Sequence, residues 1–434
     1  MLHNRFVRSM CIVCCICLLQ QIPAKAQAGD NTADTLRLDI KTAEKQFLEK
    51  NLSLLAQHYN VESGKALILQ AKLWDNPVLN TDQNLYSNGQ WFQHGTDAAG
   101  NPTGQIFVQV QQLIKTAGKR GKQVNMARTS AEQGEWQFKD VMRNLKYQLR
   151  KDFYTVVQLQ GNRQLYAQEK EQLEILLRAM AAELQAGNIA QKDYLRIQAL
   201  DVNLQHEITE NAKTISDIEA ELKTLLQVTG DTFIQPLADN EETVAAPEMN
   251  IMQLTDSARR YNTDYMQQVL QLRYQQQNLS YQKALAIPDV TFGPSFDQNS
   301  NYTPNYYGLG VALPLPFFDR NQGNIKSVRW QVKLEEANLR QTDDKLQNDV
   351  KNAYQKLLYT LQLSSGQNKD FYSNYYRLYD NVVQSYKQRR IGMLEFIDYF
   401  NGYENIREQE LQQKLNVRLA KEELNYQVGM DVIE

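Results

Sequence analysis

The 434-residue sequence contains itself twice, which restricts the fold to one built from a single unit used two times. With Ile40 set on Ile251, the chain runs in step at a constant offset of 211 as far as Pro77 and Pro288. Asn51 then falls on Asn262 and Ser53 on Asp264. Each asparagine ends a short helical pattern, and Ser53 and Asp264 are N-cap types that begin another. The pattern from Ser53 carries Leu55, Tyr59, Ala66, Leu69 and Leu73 at helical spacing. Pro77 and Pro288 stop these helices and hand over to extended chain. Further on, Gly187 to Leu195 matches Gly392 to Phe400 at an offset of 205, and Val228-Thr229-Gly230 echoes Gln427-Val428-Gly429 at 199.

Each unit reads as short helix, two strands and two long helices. The strands are expected near Val78–Tyr86, Gln105–Leu113, Asp289–Asp297 and Tyr306–Leu315. Ile106, Val108 and Val110 face away from Gln109 and Gln111. Tyr307, Leu309, Val311 and Leu313 oppose Gly308, Gly310 and Ala312, and Val290, Phe292 and Phe296 oppose Thr291, Ser295 and Asp297. One apolar and one polar or tiny face suits a strand between lipid and water. A half-buried soluble sheet alternates in the same way. The first strand, with Asn80, Asp82 and Asn84 on one side, has the weakest pattern.

Between Gly121 and Gly187 there is no proline, and only Gly134 and Gly161 weaken a helical pattern about 100 Å long. The span from Gly323 to Gly392 repeats it, with Gly366 as an interior break. Phe371, Tyr375 and Tyr379 recur at four-residue spacing and read as helix-packing aromatics. Helices of this length with turns at their ends imply antiparallel coiled-coil hairpins. A Pro-containing acidic linker, Asp231 to Glu248, separates the units.

The compartment is read from the start of the chain. Arg5 and Arg8, an apolar stretch from Met10 to Leu19, and Pro23-Ala24-Lys25-Ala26 form a secretory signal peptide pattern over residues 1–26. The expected division is therefore signal peptide 1–26, first unit 27–230, linker 231–248 and second unit 249–434. All four cysteines (Cys11, Cys14, Cys15, Cys17) fall in the signal, which leaves the mature chain without thiol chemistry. Mature net charge is −6, from 44 basic against 50 acidic residues, which argues against nucleic acid as a partner. No later stretch is long and apolar enough for a membrane helix, so any crossing must use strands.

Four strands cannot close around a lumen, and open edges in lipid leave backbone groups unpaired. Three copies would supply twelve strands and twelve long helices, enough for a barrel continued by a helical tube. At this level the chain resembles the TolC-type outer-membrane efflux family over essentially its whole mature length. The resemblance is carried by Leu36-Arg37-Leu38-Asp39 leading to Asn51, the elbows at Pro77 and Pro288, and the two Gly-x5-Asp-Tyr segments. The stretch from Leu313 to Asn324 (LPLPFFDRNQGN) is similar to the branch serving cobalt–zinc–cadmium resistance. The resemblance implies a mixed α/β membrane protein, internally duplicated. Long antiparallel helical hairpins would form a periplasmic α-barrel, and four strands per chain would complete a twelve-stranded barrel in a homotrimer. It implies an outer-membrane location with outer-membrane lipid around the strands. It also implies passive conduction, fed by an inner-membrane pump of the resistance–nodulation–division class through a periplasmic adaptor. Heavy-metal cations are the expected cargo; organic toxicants or secreted proteins are the alternatives. A periplasmic coiled-coil scaffold or adaptor fits two full hairpins and four strands badly.

The family's tip turns fall on Gly187, Asn188 and Ile189 and on Gly392, Met393 and Leu394, which become candidate adaptor-docking residues. Glycine ending one helix before the next is the alternative. Acidic side chains near the family's closed periplasmic end project into the lumen, which makes Asp193 and Asp398 gate candidates. A ring of carboxylates repels itself and attracts cations; an acid near a helix start is the plainer reading. The family's second acid falls on Asn401, and on Arg196 in the first unit, a departure that weakens a double acidic ring. Arg389 and Arg390 are possible partners for Asp398. Lys115, Lys119, Arg120 and Lys122 form a basic cluster read as a solvated or headgroup-facing collar. No catalytic, cofactor or metal pattern is legible: His58, His94 and His206 stand at no ligand spacing.

Overall fold

The computed structural model describes residues 35–433 except 88, 238–243, 245, 246, 249 and 366–368. The signal peptide pattern, part of the acidic linker and the Gly366 break lie outside the described residues.

The chain enters through a short strand β1 (Thr35–Leu38) and two consecutive helices, α1 (Ile40–Lys50) and α2 (Leu52–Lys72). Strand β2 (Val78–Gln83) follows, then two small hairpins, β3 (Tyr86–Ser87) with β4 (Gln90–Trp91) and β5 (Gly95–Thr96) with β6 (Pro102–Thr103). Strand β7 (Ile106–Ile114) leads into α3 (Lys119–Gln185), and α4 (Gln191–Leu226) returns beside it. Within the span read as linker, β8 (Phe233–Pro236) pairs in parallel with β1. The element order then recurs: α5 (Ile251–Tyr261), α6 (Thr263–Leu285), β9 (Val290–Asn299), β10 (Pro304–Ala312), α7 (Gln322–Ser365), α8 (Lys369–Lys387) and α9 (Met393–Val428).

The residues that divide the short helices differ from the expectation. Asn51 and Asn262 are both the last caps of α1 and α5 and the N-caps of α2 and α6; Ser53 and Asp264 sit inside the first turn. An asparagine in extended conformation suits both tasks, because its side-chain oxygen accepts from the amides of the next helix. The Asn51 oxygen takes Ser53 and Leu54, and that of Asn262 takes Tyr265.

At 67 residues, α3 is continuous through Gly134 and Gly161 and spans about 100 Å. Gly161 lets α9 pack closely: a Cβ there would lie 2.9 Å from the Leu411 side chain, which would have to shift. The apolar residues gather in three clusters along the rods. One joins Phe47, Leu149, Phe153, Leu222 and Leu226. Its counterpart joins Leu254, Val350, Leu357, Leu424 and Val428. The third joins the two hairpins around Leu165, Leu173, Ile197, Tyr379, Phe396 and Phe400. The third cluster absorbs the packing role expected for Tyr379, while Phe371 remains 46% exposed.

Helices near the sheet lie in the lateral order α2–α3–α6–α7. The antiparallel sheet has the matching order β2–β7–β9–β10. The apolar stripe on α2 is left uncovered by the described residues: Leu55, Tyr59, Leu69 and Leu73 are all exposed. At the opposite edge Trp330 and Leu334 of α7 are exposed as well.

Candidate functional site

The pairing register turns four separate alternations into one two-faced wall. Leu79 pairs with Val110, Val108 with Phe296, Phe296 with Tyr307, and Phe292 with Val311. Directly paired residues point to the same side of a sheet, so these apolar groups share one face with Leu309 and Pro294. The other face collects Asn80, Gln109, Ser295 and Gly308, and, one step along, Asp82, Phe107 and Asp297. The apolar face is open to its surroundings: Leu79, Tyr307, Leu309 and Val311 are 64%, 79%, 68% and 67% exposed. Gly293 permits the close approach of β9 to β7, since a Cβ there would stand 2.7 Å from the Val110 carbonyl oxygen. The outer edges of β2 and β10 have no partner among the described residues. The last strand stops at Ala312, short of the expected Leu315, because Pro314 and Pro316 cannot continue a ladder.

At the far end of the rods, each hairpin turns through five residues. After α3, Gly187 takes a left-handed conformation (φ 73°), and the Asn188 and Gly187 amides close on the Glu183 and Leu184 carbonyls. After α8 the same closure forms around Arg389 (φ 58°), with the Arg390 and Arg389 amides on the Ser385 and Tyr386 carbonyls. Gly392 is not the counterpart of Gly187; it is extended and caps the start of α9, as Ala190 does for α4. The hairpin arms α4 and α9 are 36 residues each and register at an offset of 202, where the sequence match had suggested 205 and 199. Gly187, Asn188, Gly392 and Leu394 are exposed, and Ile189 and Met393 partly buried against the third cluster. The tips are tied together by Arg389, whose guanidinium lies 2.7 Å from Glu183. Glu183 also accepts from Asn188 at 2.8 Å; this bond and the Arg389 contact hold its carboxyl below the usual range.

Comparison with known proteins shows what the chain is similar to. Residues 44–227 match the model of the family described as outer membrane efflux protein. Over those residues the chain is similar to that family. The cobalt-zinc-cadmium resistance protein CzcC of Cupriavidus metallidurans is 23% identical over 288 residues, 65% of this chain; the alignment spans 64% of that relative. Among solved structures, CusC superposes with a TM-score of 0.73 at 14% identity, covering 91% of this chain and 94% of its own. The CmeC outer membrane channel of Campylobacter jejuni gives 0.72 at 11% identity, with 90% and 86% covered. These likenesses establish the fold: long helical hairpins with a four-stranded sheet at one end.

The two gate candidates are not equivalent. Asp193 lies in the first turn of α4, half-buried, and its charge acts on Tyr386 of α8. Its registered counterpart is Glu395, in the first turn of α9. Asp398 stands one turn further, exposed, beside Tyr375, and Asn401 is exposed three residues on. Arg389 does not pair with Asp398, because its left-handed position turns it toward Glu183.

The basic cluster at the sheet end is also differently arranged from a solvated collar. Lys119 is buried, with its ammonium 2.7 Å from Asp289 and 2.6 Å from the Ile287 carbonyl. Lys115 pairs with Asp75 at 3.2 Å, and Arg120 lies over the Trp74 ring at 3.9 Å. These contacts fasten the helix layer to the end of β7 and the start of β9. The described residues contain no group of three or more His, Cys, Asp or Glu able to hold a metal ion.

Sequence reasoning missed a carboxylate cluster inside the third apolar cluster. Glu169 is 1% exposed there, and neither of its oxygens has a hydrogen-bond partner. The available signal was its spacing: Leu165, Glu169 and Leu173 fall four residues apart on the buried stripe of α3.

Proposed function

We propose that this chain is one subunit of a passive outer-membrane duct of a tripartite efflux system, active as a homotrimer. The observation that carries this reading is the shared lateral order of strands and helices, with both edges unpaired. The β2/α2 edge of one copy then meets the β10/α7 edge of the next. A head-to-tail contact of this kind closes into a ring if the rotation fits. Three copies give twelve strands, within the range of membrane barrels, and bury the stripes of α2 and α7.

Strands of nine or ten residues, as in β7, β9 and β10, match what a tilted membrane strand needs. The exposed apolar face supports contact with lipid, and the face of Asn80, Gln109, Ser295 and glycine supports a water-filled interior. No described helix is long and apolar enough to cross a membrane. The duct performs no chemistry on its cargo. Energy would come from an inner-membrane pump of the resistance–nodulation–division class through a periplasmic adaptor docked at the tips around Gly187–Ile189 and Gly392–Leu394. The likeness to a cobalt-zinc-cadmium resistance protein supports heavy-metal cations as cargo.

The test is sizing of detergent-extracted protein followed by planar-bilayer recording. A trimer with stepwise conductance is expected. A monomer soluble without detergent and silent in bilayers would sink the reading. Deleting the gene should lower tolerance to cobalt, zinc or cadmium; lowered tolerance to organic toxicants alone would reassign the cargo.

A further inference from the structure

We propose that the carboxylates around Glu169 form a proton-operated latch between the two helical hairpins: protonated, they let the hairpins pack; ionised, they force the hairpins apart. Glu169 belongs to the first hairpin, on α3. Facing it are Glu207 of α4, Glu404, Arg407 and Glu408 of α9, and Tyr379 of α8, whose charges or dipoles all reach this site. The cluster therefore straddles the seam where α8 and α9 pack on α3 and α4, within the core that joins the hairpins.

The neighbours supply little to hold a negative charge. Among the described residues the cation acting on Glu169 is Arg407, which makes no hydrogen bond to it. Arg407 pairs with Glu410 at 2.9 Å and lies over the Tyr376 ring at 4.6 Å, while its buried Nε has no partner. Tyr166, on the same helix as Glu169, gives its hydroxyl to Glu408. The Tyr379 hydroxyl is buried without a partner, its ring stacked on Tyr403 at 3.9 Å. Glu404 Oε1 is likewise buried without a partner, with the acids Glu207, Glu169 and Glu408 around it. Asp380 adds a further negative field on Tyr379 and Tyr403. A buried carboxylate with no donor is costly, so the packed state must hold protons here.

Burial pushes Glu169 up to about 8, with Glu207 and Glu408 adding to it and Arg407 opposing. Burial, the Glu207 contact and the neighbouring acids raise Glu404 as well. The sign follows from linkage. For an acid whose pKa is raised on packing, the stabilisation is complete below the ordinary glutamate pKa and is lost as pH rises through the raised value. The seam is then tight in acid and neutral medium and loosens above pH about 8. Coupling of this loosening to conduction rests on the duct reading; coupling of protonation to hairpin packing does not.

The experiment uses the full chain in detergent. Amide hydrogen exchange of 369–387 and 393–428 is followed from pH 6 to 9.5, corrected for the intrinsic pH dependence of exchange, beside bilayer conductance over the same range. Wild type should lose protection in these helices by about tenfold per pH unit above 8, with conductance rising in parallel. Glu169→Gln, a neutral isostere, should keep its protection and stay closed. If that variant fails to fold, Glu404→Gln should shift the loss of protection upward in pH. Wild-type protection independent of pH, or a variant following the wild-type profile, would overturn the latch. Exchange that loosens with pH in a protein that never conducts would keep the latch and reject the duct.

Discussion

The side-chain amide of Asn51 donates to the carbonyl oxygen of Leu225 at 2.9 Å, and Asn262 makes the same bond to Gln427 at 2.9 Å. Each asparagine thus performs three tasks at one point. It ends one short helix, caps the next, and ties both to the last turn of the returning hairpin arm. The two bonds superimpose under the 202-residue register of α4 and α9, so the repeat extends to individual hydrogen bonds. Replacing either asparagine with alanine removes a cap and leaves a carbonyl in need of a partner. A loss of about 1–2 kcal/mol is expected for Asn51→Ala or Asn262→Ala, read as a lowered unfolding midpoint in detergent. The sites share no partner, so the double variant should lose close to the sum.

The wall predicts an asymmetry between neighbouring strand positions. Leu309 is on the apolar face and Gln109 on the polar face. A lysine facing lipid near the midplane costs about 2–4 kcal/mol, while one facing water is tolerated. Leu309→Lys should therefore reduce the yield of assembled oligomer on unheated gels, and Gln109→Lys should not. Equal yields would remove the lipid-facing assignment.

The junction between sheet and helices depends on Lys119 and Asp289. Burial raises the Asp289 carboxyl, but hydrogen bonds from Lys119 and Thr116 outweigh it and leave the group below its ordinary range. Its contribution is present above the ordinary aspartate pKa and fades as pH falls through the lowered value. Lys119→Ala strands a partly buried carboxylate. It should cost about 3 kcal/mol at neutral pH and less in acid, where Asp289 can protonate, as measured by denaturation at both pH values.

These elements differ in how visible they are from sequence, and the reason is the distance over which each is specified. The four strands were legible because a period of two is local: Val108, Val110, Leu309 and Val311 declare their face without knowledge of their partners. The short-helix repeat was legible because both copies kept the same asparagine. The tip register was not, because glycine was taken as the marker of a left-handed turn. Arg389 occupies that conformation instead, at a steric cost its sequence does not display. Lys119 looked solvated because its acidic partner lies 170 residues away. Glu169 looked like one of many charged residues on a long helix, and only the packing of α8 and α9 makes it a buried acid.

The tip turn itself can be tested by separating conformation from charge. Arg389→Ala and Arg389→Gly both remove the pairing with Glu183, which is exposed and screened by solvent, so the two variants lose it alike. Glycine additionally relieves the left-handed strain, worth about 1–2 kcal/mol. Arg389→Gly should thus be more stable than Arg389→Ala by about 1 kcal/mol in thermal unfolding. Identical midpoints would mean that the turn relaxes out of its left-handed form.

An acidic gate, if the tips form one, would rest chiefly on Asp398, since Asp193 is half-buried beside Tyr386 and Asn401 carries no charge. Asp398 is exposed in the single chain, and a trimer would repeat it three times around the axis. If those copies face the lumen, their mutual repulsion favours an open end and their field favours cations. The effect must weaken with salt, because the screening length falls from about 10 Å at 0.1 M to about 3 Å at 1 M. Asp398→Asn should therefore reduce the cation preference of the conductance at 0.1 M salt and change little at 1 M. Asn401→Asp, which adds an acid one helical turn further on, should act in the opposite direction. Selectivity that ignores both substitutions at low salt would move the gate away from this turn of α9 and toward Asp193 and Glu395 in the first turns.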